Sequence, residues 1–140
     1  GLTLGLCFID LDFFKAVNDE HGHLKGDEVL RAVAQALAAA TRRSDLLFRW
    51  GGEEFALVCP GADLQEMQQV AHKLRQALSA MPWQTRLNVR PLTASMGIAL
   101  FPRHAREGRA LLELADSALF RAKAAQRDRV EVADDSPPSP

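Results

Sequence analysis

The chain is as informative for what it lacks as for what it holds. No apolar run approaches the ~18 residues needed to cross a bilayer, and no signal peptide is visible. A cytoplasmic domain with no membrane contact of its own is therefore expected. The sequence opens without a methionine, directly in strand-like residues, and is expected to be a piece of a larger protein. Basic residues number 17 against 18 acids, for a net charge of −1, and they are spread along the chain. That argues against a nucleic-acid polymer as partner, which usually selects a concentrated basic face. A small phosphate-bearing ligand remains open, because a few placed cations suffice for it. Only two cysteines occur, Cys7 and Cys59, both in apolar runs. They are read as buried free thiols in a reducing compartment; a bridge between neighbouring strands is the alternative. There is no P-loop, no dinucleotide glycine fingerprint and no serine in the setting of an activated nucleophile. His21, His23, His72 and His104 lack zinc-ligand spacing with the cysteines and are expected to be structural or exposed.

What is present is a regular alternation of apolar segments. Residues 2–12, "LTLGLCFIDLD", read as a strand buried on both faces and closed by acids. Residues 13–23 form a short helix or turn broken at Gly22. Residues 26–45 carry Val29, Leu30, Val33 and Leu37 at helical spacing, with Asp27 placed to cap the start. "LLFRW" and "EFALVCP" are two strands joined through Gly51 and Gly52, a hairpin signal. Asp63 to about Met81 is a second long helix with Leu64, Met67, Ala71, Leu74 and Leu78 on one stripe. Residues 87–101 are a strand, with Pro91 at its start or edge. Arg109 to about Gln126 is a third long helix, and 129–132 a last short strand. The order β-α-α-β-β-α-β-α-β implies an α+β fold: a central, mainly antiparallel sheet flanked by helices, close to a ferredoxin-like or palm-like arrangement. Residues 1–132 are expected to be one domain and 133–140 a disordered tail.

Two groups of acids suggest chemistry. Asp10 and Asp12 end the first strand, where alternation places both on one face. Glu53 and Glu54 follow the paired glycines, and alternation lets at most one of them aim where Asp10 aims. Carboxylates converging at strand ends suit a hard divalent ion shared with substrate phosphates. The glycines then permit φ > 0 or close backbone approach of a ligand. The plain alternative is a hairpin whose acids face water. Lys123 and Arg127, four apart, share a helix face and could hold phosphate; two cations favoured at a helix C-terminus are the competing reading.

The motifs carry the reading further. "RWGGEEF" resembles the signature of the GGDEF domain, the diguanylate cyclase family, in its GGEEF form. "FIDLDFFKAVNDEHGHLKGDEVL", "TASMGIALF" and "ADSALFRAKAAQRDRV" resemble that family's first strand and nucleotide-binding stretch, its late strand and its final helix. The likeness runs from Leu4 to Val132, without the helix and DxLTGLxNR segment usual ahead of the first strand. It implies a homodimer that condenses two GTP into cyclic di-GMP and releases pyrophosphate, with Mg2+ (or Mn2+) as cofactor. By the same resemblance, Asp10, the carbonyl of Ile9 and Glu53 hold metal. Glu53 also helps deprotonate the attacking hydroxyl, with Glu54 a second acid beside it. Asn18 and Asp27 read the guanine edge, and Phe13, Phe14 and Lys15 present backbone N–H groups to phosphates. Lys123 and Arg127 become the phosphate clamp.

"RRSD" sets Arg42 and Asp45 in the RxxD spacing, with five residues between Asp45 and Gly51, which resembles the family's product-inhibition site for cyclic di-GMP. A helix end followed by a turn aspartate is the plain alternative. Gln126 stands where the family has glycine and Asp128 where it has asparagine, and an acid there is expected to pair with Arg127. A receptor that binds cyclic di-GMP without making it is the second functional hypothesis, and a pure interaction scaffold the third.

Overall fold

The computed structural model describes residues 2–135. Nine elements follow in order: β1 (Leu4–Leu11), α1 (Phe14–His21), α2 (His23–Ala39), β2 (Leu46–Arg49), β3 (Glu54–Pro60), α3 (Leu64–Ser79), β4 (Ala94–Phe101), α4 (Gly108–Ala124) and β5 (Arg129–Val132). The strands form one sheet in the order β2-β3-β1-β4-β5. All pairings are antiparallel except β4 with β5. This is the expected α+β architecture.

β1 lies at the centre, and its parity sorts the core. Odd residues Cys7, Ile9 and Leu11 face one way, into a cluster with Val29, Val33 and Leu37 of α2 and Met67, Ala71, Leu74 and Leu78 of α3. Even residues Leu6 and Phe8 face the other way, against Leu111, Ala115 and Leu119 of α4. Each large apolar side chain taken from water in this way contributes roughly 1.5–3 kcal/mol. Both cysteines are buried free thiols, as expected. Burial pushes Cys7 up, and Cys59 to about 12. His104 is structural: its Nδ1 accepts the Leu100 N–H at 2.9 Å.

Several boundaries differ from the sequence reading, each for a local reason. α2 starts at His23 after Gly22, whose φ of 87° suits glycine, so Asp27 lies inside the helix and does not cap it. It ends at Ala39, where the Thr41 hydroxyl donates to Ala38 O at 2.9 Å. The strand expected from residue 87 begins at Ala94, because Asn88 is left-handed (φ 57°) and Pro91 has no N–H to give a ladder. α4 ends at Ala124. Gln126 is left-handed (φ 77°) and the Arg127 N–H bonds back to Ala122 O at 2.9 Å, a Schellman-type stop. Residues 133–135 of the expected tail are tied down. Ala133 N–H donates to Ile98 O at 2.7 Å, and Asp134 and Asp135 pair with Arg121 and Arg103, each at 2.9 Å. The remaining tail residues, 136–140, lie outside the described residues. Among the described residues no helix is long and apolar enough to cross a membrane.

Candidate active site

Asp10 sits near the end of β1, opposite Glu54 on one side and Ser95 on the other. Its even parity turns it toward α4, and Lys123 at the end of that helix forms an ion pair with Asp10 Oδ2. Asp10 is nearly buried at 4% exposure, so this ammonium neutralises a charge with little access to water.

The β2–β3 hairpin brings the glutamates to the same place. The Trp50 and Gly51 N–H groups both donate to Glu54 O, at 2.8 and 3.2 Å. The Arg49 guanidinium donates to the carbonyls of Gly51 and Gly52, the shortest contact being 2.7 Å to Gly52. Neither glycine has positive φ, contrary to expectation. Gly51 instead leaves room for the hairpin's own acid: a Cβ there would stand 3.2 Å from Glu54 Oε2, whereas one at Gly52 would meet open space. Both glutamates approach Asp10. Strand alternation does not separate them, because Glu53 belongs to the turn and only Glu54 to the strand. Burial and then the Asp10 charge raise both carboxyls above their usual range, and Lys123 opposes the rise.

The backbone ligand expected at Ile9 is not available. The Leu11 N–H donates to Glu53 O at 3.3 Å, so odd residues of β1 direct their amides and carbonyls toward β3. The Ile9 carbonyl therefore lies within the ladder opposite Phe55. The Leu11 carbonyl occupies the same edge one step further on, beside Glu53, past the end of β3. Oxygen-only donors around one cation fit Mg2+ or Mn2+. Asp10, Glu53 and Glu54 lie near one another, but among the described residues no group of three or more acidic, histidine or cysteine side chains is arranged to hold an ion by itself. Asp10 and Glu53 would supply part of the shell, and substrate phosphates and water the rest.

Of the expected nucleotide residues, Lys123 pairs with Asp10, Arg127 lies by Asp12, and Phe13 lies beneath Arg127. Phe13 precedes α1 in left-handed conformation (φ 59°); no side chain caps the helix, and the Ala16 N–H donates back to Phe13 O at 3.0 Å. Phe14 is buried, whereas Lys15 is exposed. The Arg127 guanidinium lies over the Phe13 ring, 4.9 Å from its centre. Lys123 and Arg127 do not share a helix face, because Arg127 lies beyond the end of α4. They converge nonetheless, on Asp10 and on Asp12. Asn18 on α1 packs against Gly26 of α2, where a Cβ would stand 1.9 Å from Asn18 Oδ1. Asp27, next along, is exposed. The Asp128 carboxylate pairs with Arg75 at 2.9 Å rather than with Arg127 as expected. Sequence reasoning noticed Asp12 but gave it no role. Its partners, Thr93, Ser95 and Asp128, are more than 80 residues away in sequence.

Arg42 and Asp45 close on each other. Asp45 accepts from the Arg42 backbone N–H at 2.9 Å and from its guanidinium at 3.1 Å, and its side chain is fully buried. They lie beside Cys59, which pairs with Gly5. That is five residues from Asp10 along β1, about 17 Å at strand spacing.

The sheet carries acids at the ends of its central strands, with a cation from the last helix paired to one of them. Comparison with known proteins gives the particular family. The model for "Diguanylate cyclase, GGDEF domain" matches residues 1–129, and the chain belongs to that family. It is 42% identical to the diguanylate cyclase DgcP of Pseudomonas aeruginosa, over 95% of this chain and 20% of that protein. It is 39% identical to the diguanylate cyclase DosC of Escherichia coli, over 94% of this chain and 29% of that one. The chain thus spans less than a third of the length of these relatives. Among solved structures, the GGDEF domain of YfiN (TpbB) from P. aeruginosa superposes with a TM-score of 0.89 at 35% identity, covering 96% of this chain and 84% of the other. The GGDEF domain of DgcB from Caulobacter crescentus, in complex with c-di-GMP, gives 0.85 at 32%, covering 94% and 78%.

Proposed function

We propose that this domain is a diguanylate cyclase: two copies, each holding one GTP, condense them into cyclic di-GMP and release pyrophosphate. The convergence of Glu53, Glu54 and Asp10 under Lys123 is the observation that carries this reading. In each half-reaction the 3′-hydroxyl of one nucleotide attacks the α-phosphorus of the other, and the bond to pyrophosphate breaks. Glu53 accepts the hydroxyl proton. Its carboxyl, raised by burial and by Asp10, holds a proton more readily than an ordinary glutamate. Lys123 and Arg127 neutralise phosphate charge, and the uncapped start of α1 adds backbone N–H donors. Asn18 and Asp27 supply an amide and a carboxylate for the guanine edge. A divalent ion at Asp10 and Glu53, when bound, supplies charge neutralisation at the transferring phosphate.

The test is Glu53→Ala, with GTP and Mg2+ incubated and nucleotides separated by chromatography. The fold should persist while product formation drops by ~10³-fold or more. Turnover near that of the unaltered protein removes Glu53 from the mechanism. An unaltered protein that binds cyclic di-GMP but makes none supports the receptor reading instead.

Arg42 and Asp45 carry a second reading, a product-binding inhibitory site remote from catalysis. Arg42 is 44% exposed at its side chain, so part of its donor fork reaches solvent while Asp45 anchors it. Arg42→Ala should weaken cyclic di-GMP binding by calorimetry at least tenfold. Unchanged affinity excludes the assignment.

A further inference from the structure

Asp12 accepts hydrogen bonds from three partners distant in sequence, and the chemistry above makes no use of it. It is 3% exposed. Oδ2 accepts from the Thr93 hydroxyl at 2.6 Å and from the Asp128 backbone N–H at 3.0 Å, and Oδ1 accepts from the Ser95 hydroxyl at 2.7 Å. The Arg127 Nε lies 3.9 Å from Oδ1. One side chain thus joins three separate pieces of chain: the end of β1, the start of β4 and the turn after α4.

That turn is strained. Gln126, Arg127 and Asp128 are all left-handed, with φ of 77°, 61° and 46°. None is glycine, and each L-residue there costs roughly 1–2 kcal/mol. A run of this kind persists only where its surroundings hold it. The Arg127 N–H to Ala122 O bond holds one end, and Asp12 holds the other through the Asp128 N–H. Between these two anchors the Arg127 side chain is delivered over the Phe13 ring, at the start of α1.

We propose that Asp12 is a positioning residue for nucleotide binding, a buried buckle that fixes the turn after α4 and thereby sets the Arg127 guanidinium above Phe13 to meet phosphate. It touches no substrate itself and acts through Arg127. The proposal rests on the cyclase reading for the identity of the ligand.

The experiment measures binding of GTP with Mg2+ by calorimetry to the unaltered protein and its variants, with circular dichroism as the check on folding. Asp12→Ala frees the turn and should weaken binding about tenfold, the worth of one charge-assisted hydrogen bond. Asp12→Asn keeps an acceptor for the Asp128 N–H and should recover most of that loss. Arg127→Ala should weaken binding by a similar factor. Adding Asp12→Ala to it should change little more, because both act through one contact. Independent, multiplying effects of the two changes overturn the proposal, as does full affinity in a folded Asp12→Ala. If Asp12→Ala does not fold, Thr93→Val with Ser95→Ala removes two of the three donors and takes its place. It should weaken binding by about threefold in an otherwise unaltered protein and not at all in Arg127→Ala. An equal loss in both backgrounds, or no loss in either, overturns the proposal. Failure of the unaltered chain to bind GTP overturns the cyclase reading and takes this inference with it. GTP binding that survives loss of the buckle overturns the inference alone.

Discussion

Replacing Gly97 with alanine adds one methyl group where the structure has no room for it. Gly97 lies at the middle of β4 beneath α4, and a Cβ there would stand 2.3 Å from both Ala115 O and Leu119 N, and 2.9 Å from Leu119 Cα. All three are backbone atoms, so no rotamer change relieves the clash. Carbon needs about 3.4 Å or more from such atoms, so α4 must retreat from the sheet by about 1 Å. The retreat loosens Leu111, Ala115, Ala118, Leu119 and Ala122, all buried on that helix. Overpacking of this kind costs about 1–3 kcal/mol, and the rigid obstruction argues for the upper end. At about 3 °C per kcal/mol for a domain of this size, Tm should fall by roughly 9 °C. Lys123 follows Leu119 by one turn, about 6 Å along the axis, so the same shift carries its ammonium away from Asp10. Thermal melting by circular dichroism reads the first effect, and GTP affinity measured well below the melt reads the second. A Tm within about 2 °C of the unaltered protein would refute the claim that α4 rests directly on Gly97.

Gln126→Gly should stabilise the protein by roughly 1 kcal/mol, because a left-handed residue at the end of a helix is relieved of its Cβ; denaturant unfolding with an unchanged m-value measures it. Stability should also fall with pH through His104. Burial, reinforced by Arg103 and opposed by Asp135 and Asp134, holds its imidazole below the ordinary range, and its Nδ1 must stay unprotonated to accept from Leu100. The unfolded chain takes up a proton below about pH 6.5 while the folded one resists, so stability is full above that pH and declines as pH drops toward the folded value. Urea unfolding at neutral and mildly acidic pH should show this slope in the unaltered protein and a flatter one in His104→Asn.

Much of the site was legible because its parts lie in short, self-contained motifs. The acids of "FIDLD" and "GGEEF" are close in sequence to the strand ends that position them, so strand period and turn composition marked both groups as candidates, while their meeting depended on β1 pairing beside the hairpin. The misreadings share one cause. Ile9 and Leu11 have the same parity, and which carbonyl is free depends on where β3 ends, a matter of register between strands far apart in sequence. Both glutamates reach Asp10 because the turn, unlike a strand, does not alternate. Lys123 and Arg127 converge although the helix that seemed to join them has already stopped.

The sequence alone determined the order of elements, the alternating core and the residue types of the acidic cluster, since apolar periodicity and turn chemistry are local and survive without knowledge of neighbours. The tertiary structure alone decided that Asp12 binds Thr93, Ser95 and Asp128, that Arg42 and Asp45 close on each other at the opposite end of β1, and that Gly97 is a seat for α4. Those facts depend on which distant backbones come within a few ångströms, and no local pattern encodes such a distance.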